Sequence, residues 1–153
     1  MPPRPDYELY ALLAVGSLYG IEIQMDNVTE CRERLFRLFC RTYLSLFPEA
    51  DAGGAYLQSI RYVIGRNILW GDALTLRTPD GREPITFCEW TAVGGNGTVK
   101  RRDFDMDMLL RNQPMTEPNL FSDLGDEAFI PTPKAEYPFV HYTQLYTHGD
   151  RTL

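Results

Sequence analysis

The fold is decided by residues 60–110, which read IRYVIGRNILWGDALTLRTPDGREPITFCEWTAVGGNGTVKRRDFDMDMLL. This stretch contains short runs of β-branched and aromatic residues that alternate with polar ones, a pattern that favours strands with one buried face. The runs are separated by short turn sequences, so we predict consecutive antiparallel strands. These predicted strands are residues 73–78, 85–93 and 98–106.

Two turn sequences join these strands, at residues 79–81 (PDG) and 94–97 (GGNG). Proline presets the first angle of a turn, and glycine accepts the positive φ that tight turns require. A further turn at residues 70–72 makes residues 62–69 a candidate for a fourth strand. The open alternative is a helix over residues 55–65, whose apolar side chains also fit helical spacing.

Before these antiparallel strands, the sequence predicts two helices with a strand between them. Residues 7–18 are apolar nearly all round, which is typical of a buried helix, and Glu8 lies in its first turn, where it favours the helix dipole. Residues 19–26 alternate like a half-buried strand. Residues 27–47 form an amphipathic helix. Its apolar face is Val28, Cys31, Leu35, Leu38, Phe39, Thr42, Tyr43 and Leu46.

The opposite face of this long helix is charged and is typical of a solvated surface, although its arginines would also suit a partner. Arg32 lies inside the apolar arc instead, and we expect its side chain to reach out to water. The charged face consists of Glu30, Glu33, Arg34, Arg37 and Arg41.

Composition excludes several classes of function. The chain has 153 residues, enough for one domain with a core, and its net charge of −6 argues against a nucleic-acid binder. No apolar run is long enough to cross a membrane, and the N-terminus lacks a basic-then-apolar signal. Three cysteines without metal-ligand spacing indicate a reduced compartment, so we expect a cytoplasmic protein without a metal or cofactor.

Proline content sets the C-terminal part of the chain apart. Residues 113–138 carry five prolines, which predicts an extended arm, and we divide the chain into a domain over 1–112 and an arm over 113–153. Residues 117–129 alternate acids with bulky apolar side chains, like a short partner-binding peptide. We expect the arm to dock on its own domain or on a dimer mate, ending in a strand over 137–146 that covers a sheet edge.

The order of four short motifs resembles a known family. They are residues 46–49 (LFPE) after the long helix, 71–74 (GDAL), 97–99 (GTV) and 102–105 (RDFD). Together they resemble the nuclear transport factor 2-like superfamily, in particular its SnoaL-like polyketide cyclase and limonene epoxide hydrolase branches. The resemblance extends over residues 8–112.

This resemblance implies an α+β fold in which a curved antiparallel sheet forms a cone around the long helix and leaves an apolar pocket. It implies a cofactor-independent enzyme, which moves a proton on a hydrophobic cyclic or polyketide-like small molecule, and a homodimer. Asp103 stands where family enzymes carry an acid–base aspartate. The substrate-binding candidates are Trp90, Arg77, Tyr62 and Cys88.

Strand register decides what Asp103 contacts. If the second hairpin pairs Val93 with Thr98, Asp103 shares a face with Cys88 and Trp90, where burial would raise the pKa of a carboxylate and suit it to proton transfer. The alternative is an ordinary aspartate that faces water or pairs with Arg101 or Arg102. On the catalytic interpretation, Asp103→Asn abolishes activity and leaves thermal unfolding nearly unchanged.

The same register places Arg77 on the opposite face, where a surface pairing with Glu83 or Glu89 is the alternative to substrate binding. His141 and His148 fall on opposite faces of the predicted last strand, so they form no metal site.

Two further hypotheses stand beside the enzyme. One is a non-catalytic member of the same fold that binds a ligand or dimerises, which a pocket filled by Phe and Trp side chains would favour. The other is an acidic viral or mobile-element protein that binds and inhibits a host factor, which a helical segment over 55–65 without a curved sheet would favour.

Overall fold

The computed structural model describes residues 3–111, 132–148 and 150–152. About half of the predicted arm, including the acidic stretch 117–129, lies outside the described residues. The α+β class is confirmed. The helices are α1 (Arg4–Gly16), α2 (Met25–Leu46), α3 (Ala55–Asn67), α4 (Met106–Arg111) and α5 (Leu145–His148), and the strands are β1 (Gly20–Glu22), β2 (Ile68–Trp70), β3 (Thr86–Val93), β4 (Thr98–Asp105), β5 (Ala135–Glu136) and β6 (Val140–His141).

The third helix is the centre of the fold, and it corrects the prediction of a fourth strand over 62–69. α3 has seven buried residues at helical spacing, so its apolar groups cover one broad face of the helix. α1, α2 and the β3–β4 hairpin all pack against α3. The alternation that suggested a strand was therefore part of a helical pattern. The buried residues are Tyr56, Leu57, Ser59, Ile60, Val63, Ile64 and Asn67.

The first two strands form a small parallel sheet, with Gly20 opposite Ile68 and Glu22 opposite Trp70. The predicted half-buried strand over 19–26 is thus shortened to three residues. Arg32 of α2 is half-buried, and its Nε and Nη2 donate to the Ile68 carbonyl at 2.9 and 2.6 Å. Because Ile68 caps the C-terminus of α3, the cation satisfies the negative end of that helix.

The β3–β4 hairpin confirms the predicted second turn and its register. Val93 lies opposite Thr98, which places Cys88 opposite Asp103. Gly94 and Gly97 have φ angles of 70° and 79°, a region that residues with a side chain rarely adopt, so glycine is required here.

Residues 73–78 form no strand, contrary to the prediction. The Asp72 carboxylate accepts the backbone N–H of Leu74 at 2.8 Å, and the Asp72 carbonyl accepts that of Leu76 at 2.8 Å. Such local bonds offer the backbone an alternative to a strand ladder. The segment is a compact surface loop, in which Leu74 is 95% exposed. Its PDG turn is confirmed by Gly81, with a φ of 75°.

The C-terminal segment returns to the free edge of β4. Glu136 in β5 lies opposite Arg102, and His141 in β6 lies opposite Thr98, both antiparallel. Of the predicted strand over 137–146 only the two residues of β6 are extended and paired, because a 3-10 turn at Tyr142–Gln144 and α5 follow, whereas β5 precedes the predicted range. The turn begins where the His141 ring accepts the N–H of Thr143.

The expected cone is not confirmed. In the described ranges the strands form two separate sheets, and the hairpin packs on α1 and α3 while α2 packs mainly on α3 and the small sheet. Within the described residues, α3 packs against α2 where the curved sheet was expected. None of the described helices is both long and apolar enough to cross a bilayer.

Candidate functional site

The predicted catalytic carboxylate lies in a buried ion pair. Asp103 and Arg101 are two residues apart on β4, so both side chains point to the same face. Arg101 donates from Nε to Oδ1 at 2.8 Å and from Nη2 to Oδ2 at 2.9 Å, a bidentate pair whose side chains are 4% and 9% exposed. Hydrogen bonding to Asp103 holds the pKa of Arg101 above its ordinary value even though burial acts to lower it.

The C-terminal segment completes this pair. Tyr137 donates its hydroxyl to Asp103 Oδ2 at 2.8 Å, and its ring lies 3.9 Å beneath the Arg101 guanidinium. Burial raises the pKa of the Tyr137 hydroxyl to about 12. On the other side, Arg101 Nη1 donates to the Tyr62 hydroxyl at 2.6 Å and lies 3.4 Å from Asp150.

These contacts decide what Asp103 can do. Its two oxygens accept three hydrogen bonds in the interior, so a substrate would have to displace Arg101 or Tyr137 to reach the carboxylate. Cys88, the cross-strand neighbour, is equally unsuited to nucleophilic attack, because burial raises the pKa of its thiol to about 12. The arrangement is suited to fixing the C-terminal segment on β4, through the hydrogen bond from Tyr137 to Asp103.

Four of the five predicted site residues lie around Arg101, and the fifth lies elsewhere. Trp90 and Tyr62 stand 5.7 and 5.9 Å from the guanidinium, and Cys88 pairs with Asp103. Arg77 belongs to the surface loop instead, where it donates to the Gly81 and Arg82 carbonyls at 2.9 and 3.0 Å. Neither surface pairing expected for Arg77 is formed.

A second buried carboxylate belongs to Glu8 of α1, whose burial the sequence did not predict. It is 6% exposed, and it accepts hydrogen bonds from Tyr43 at 2.6 Å, Tyr142 at 2.7 Å and Arg4 at 2.8 Å. Burial acts to raise the pKa of Glu8, but these three donors outweigh it and hold the pKa below its ordinary value. Glu8 thus joins α1, α2 and the C-terminal segment.

Among the described residues, one open and largely apolar site is a groove between α1 and α2. The two helices meet where the Tyr7 ring packs 5.3 Å from that of Phe47, and both rest on α3. Away from this contact they leave a space of about 210 Å³ between them. Leu18 and Leu38 on its rim are 53% and 58% exposed. Residues that line this α1–α2 groove include Val15, Leu18, Leu35, Leu38, Phe39 and Ile64.

The lining of the α1–α2 groove is almost entirely apolar. The Asn67 amide at its floor donates to the Gly16 carbonyl at 2.8 Å and accepts from the Trp90 indole at 3.0 Å. The Thr42 hydroxyl on its wall donates to the Leu38 carbonyl at 3.1 Å. These two polar groups are therefore engaged within the protein, and the groove attracts a ligand through apolar contact.

The groove and the Asp103 cluster are separate places in the fold, since neither Asp103 nor Arg101 lines the groove. Within the described part of the chain, no group of histidine, cysteine or acidic side chains is arranged to hold a metal ion. No protein-family model, curated protein or solved structure matches the chain. The resemblance to the nuclear transport factor 2-like superfamily therefore stays a prediction.

Part of this arrangement was visible in the sequence and part was not. Arg101 follows from the alternation of β4, which places it beside Asp103 on one face. The partners Tyr137 and Asp150 come from a distant segment, so no local pattern predicts them. The exposed wall of the groove also has a sequence signal, namely a long helix whose apolar face is wider than one neighbouring helix covers.

Proposed function

We propose that this protein is a non-catalytic binding module, and that the α1–α2 groove holds the apolar side chains of an amphipathic helix from a partner protein. The observation that carries the proposal is the exposure of Leu18 and Leu38 on the two rims of an apolar groove. An exposed apolar groove with charged residues at its edge is typical of a binding site for a ligand or another protein.

The dimensions of the groove favour side chains over a free small molecule. Ligand sites commonly enclose about 300–1,000 Å³ and include a few convergent polar groups. An apolar cavity of about 150 Å³ accepts benzene. The groove, at about 210 Å³, thus suits one or two leucine or phenylalanine side chains.

The geometry of the walls favours a helical partner. α2 presents lining residues from successive turns, namely Leu35, Leu38 and Phe39. A third helix fits between two helices by placing its own i, i+3, i+4 and i+7 side chains in the gap. A second copy of this chain fits less well. A two-fold contact centred on Leu38 would bring Arg34 of one copy beside Arg41 of the other, and like charges repel.

The proton-transfer enzyme implied by the family resemblance has less support. That proposal needs a substrate-accessible carboxylate at Asp103, whereas Asp103 is held by Arg101 and Tyr137. The non-catalytic alternative needs only the groove. A docking groove is also compatible with the hypothesis of a protein that binds and inhibits a host factor. A helix over 55–65 without a curved sheet was the feature expected to favour that hypothesis.

The test is a titration of the full chain with a labelled amphipathic helical peptide of about 14 residues, whose apolar face is leucine and phenylalanine and whose polar face is uncharged. Leu38→Asp should weaken binding at least tenfold, since burying one leucine contributes about 1.5–3 kcal/mol. Leu74→Asp is the matched control, because it places the same acid at an exposed leucine far along the chain.

Fluorescence anisotropy gives the affinities, and thermal unfolding shows that both variants are folded. Equal affinity of the Leu38→Asp and Leu74→Asp variants would show that the peptide binds elsewhere. No binding of the peptide to the wild-type chain at about 1 mM would remove the groove as a docking site for amphipathic helices.

A further inference from the structure

The outer rim of α2 is positively charged beside the α1–α2 groove. Arg34 and Arg41 are four residues before and three residues after Leu38, so both are neighbours of that rim leucine on the helix surface. Both arginines are exposed. The Arg34 guanidinium forms an ion pair with Glu30 at 2.6 Å, whereas Arg41 forms no ion pair within the described ranges.

No carboxylate is among the described residues that line the groove. Of the two acids of α1, Glu8 is turned into the core toward Tyr43 and Tyr142, and Asp6 is exposed in the first turn, outside the lining. The chain as a whole has a net charge of −6, so this groove is a locally basic place on an acidic protein.

We propose that the α1–α2 groove selects an acidic amphipathic helix, whose apolar side chains enter the groove while its carboxylates pair with Arg34 and Arg41. The proposal rests on the function proposed above and adds the charge of the partner. Guanidinium groups suit this task, because each presents a planar fork that binds a carboxylate through two hydrogen bonds. Charges on a rim contribute mainly to selectivity and to the rate of encounter.

The dimensions of the walls define a suitable probe. From Tyr7 to Val15, α1 rises about 12 Å, so a partner helix needs a little over two turns to fill the groove. Three synthetic peptides of about 14 residues share one leucine–phenylalanine face and differ only on the polar face, which is glutamate, glutamine or lysine.

With the full-length chain, the glutamate peptide should bind roughly tenfold more tightly than the lysine peptide, with the glutamine peptide between them. Raising the salt concentration from about 50 mM to about 500 mM should remove most of that difference, because salt screens the attraction between solvent-exposed arginines and carboxylates.

The decisive variant is Arg34→Glu/Arg41→Glu, which should reverse the order of the three peptides. Its matched control is Arg82→Glu/Arg151→Glu, which changes the net charge equally at exposed positions on the surface loop and near the C-terminus. The control should keep the wild-type order, because its charges lie away from the groove.

The outcomes separate the two proposals. If all three peptides bind equally and Leu38→Asp weakens all of them, the groove binds helices but charge selection is refuted. If the order of the three peptide affinities changes equally in both double variants, only the net charge of the protein matters. That result would refute a specific role of the rim arginines. If no peptide binds the wild-type chain, or if Leu38→Asp changes nothing, the docking function and its charge selection fail together.

Discussion

Replacing Asp103 with asparagine tests the interpretation of β4 most directly. The change removes one charge of a pair in which Arg101 is 4% exposed, and it aims an amide N–H at a guanidinium that also donates. Breaking a buried ion pair from one side costs about 3–5 kcal/mol of unfolding free energy. Asp150 lies 3.4 Å from Arg101 and offsets part of this loss, although its side chain is 66% exposed. We therefore expect Asp103→Asn to lower the unfolding free energy by about 3 kcal/mol, the lower end of that range.

The control for this variant lies on the same hairpin. Arg102 and Glu89 also form an ion pair across β3 and β4, at 2.6 Å, but their side chains are 35% and 40% exposed. Glu89→Gln should therefore cost about 0–1 kcal/mol, as exposed ion pairs do. The two variants compare the same chemistry at two depths of burial.

The assay is equilibrium unfolding in urea, followed by circular dichroism. With a slope of about 2 kcal/mol per molar urea, a loss of 3 kcal/mol lowers the midpoint by about 1.5 M. The combined change Asp103→Leu/Arg101→Met should recover stability relative to Asp103→Asn, because it removes both charges. If Asp103→Asn unfolds at the same urea concentration as Glu89→Gln, the buried pair does not stabilise the hairpin as argued.

Three other outcomes follow from the buried and exposed groups. Tyr142→Phe should lower the unfolding free energy by about 1–3 kcal/mol in urea melts, because Glu8 loses one of its donors in the interior. The pKa of Glu8 is lower in the folded protein than its ordinary value of 4.5. Glu8 therefore contributes fully to stability above pH 4.5, and this contribution is lost as the pH falls through the folded pKa. The stability gap between wild type and Glu8→Gln, measured by urea melts at several pH values, should therefore narrow in acid, and a constant gap would contradict this. In mass spectrometry after mild alkylation, the exposed thiol of Cys31 should react first and that of Cys88 only on unfolding, since burial raises the pKa of Cys88 to about 12.

The elements that were predicted well are those with a strong local signal. The 27–47 helix follows from a single apolar arc repeated over six turns, and it appears as Met25–Leu46. The hairpin and its register follow from the glycine turn at 94–97, since the positive φ angles there allow one pairing of the flanking strands.

The elements that were predicted wrongly had two local solutions of similar quality. The sequence left a strand over 62–69 and a helix over 55–65 as alternatives. The helix forms because α1, α2 and the hairpin pack against it and bury a broad face. Residues 73–78 have strand-forming side chains, but Asp72 closes a loop by bonding to their backbone.

The candidate site divides in the same way. The sequence alone determined that Asp103 shares a face with Cys88 and Arg101, because side chains alternate along a strand. Only the tertiary structure decided that Tyr137 and Arg101 occupy the carboxylate, and that α1 and α2 separate to leave an apolar groove. The reason is the sequence separation over which each effect acts. Hydrophobic periodicity and turn residues act within a few residues, whereas desolvation and ion pairing depend on which distant segments fold against each other.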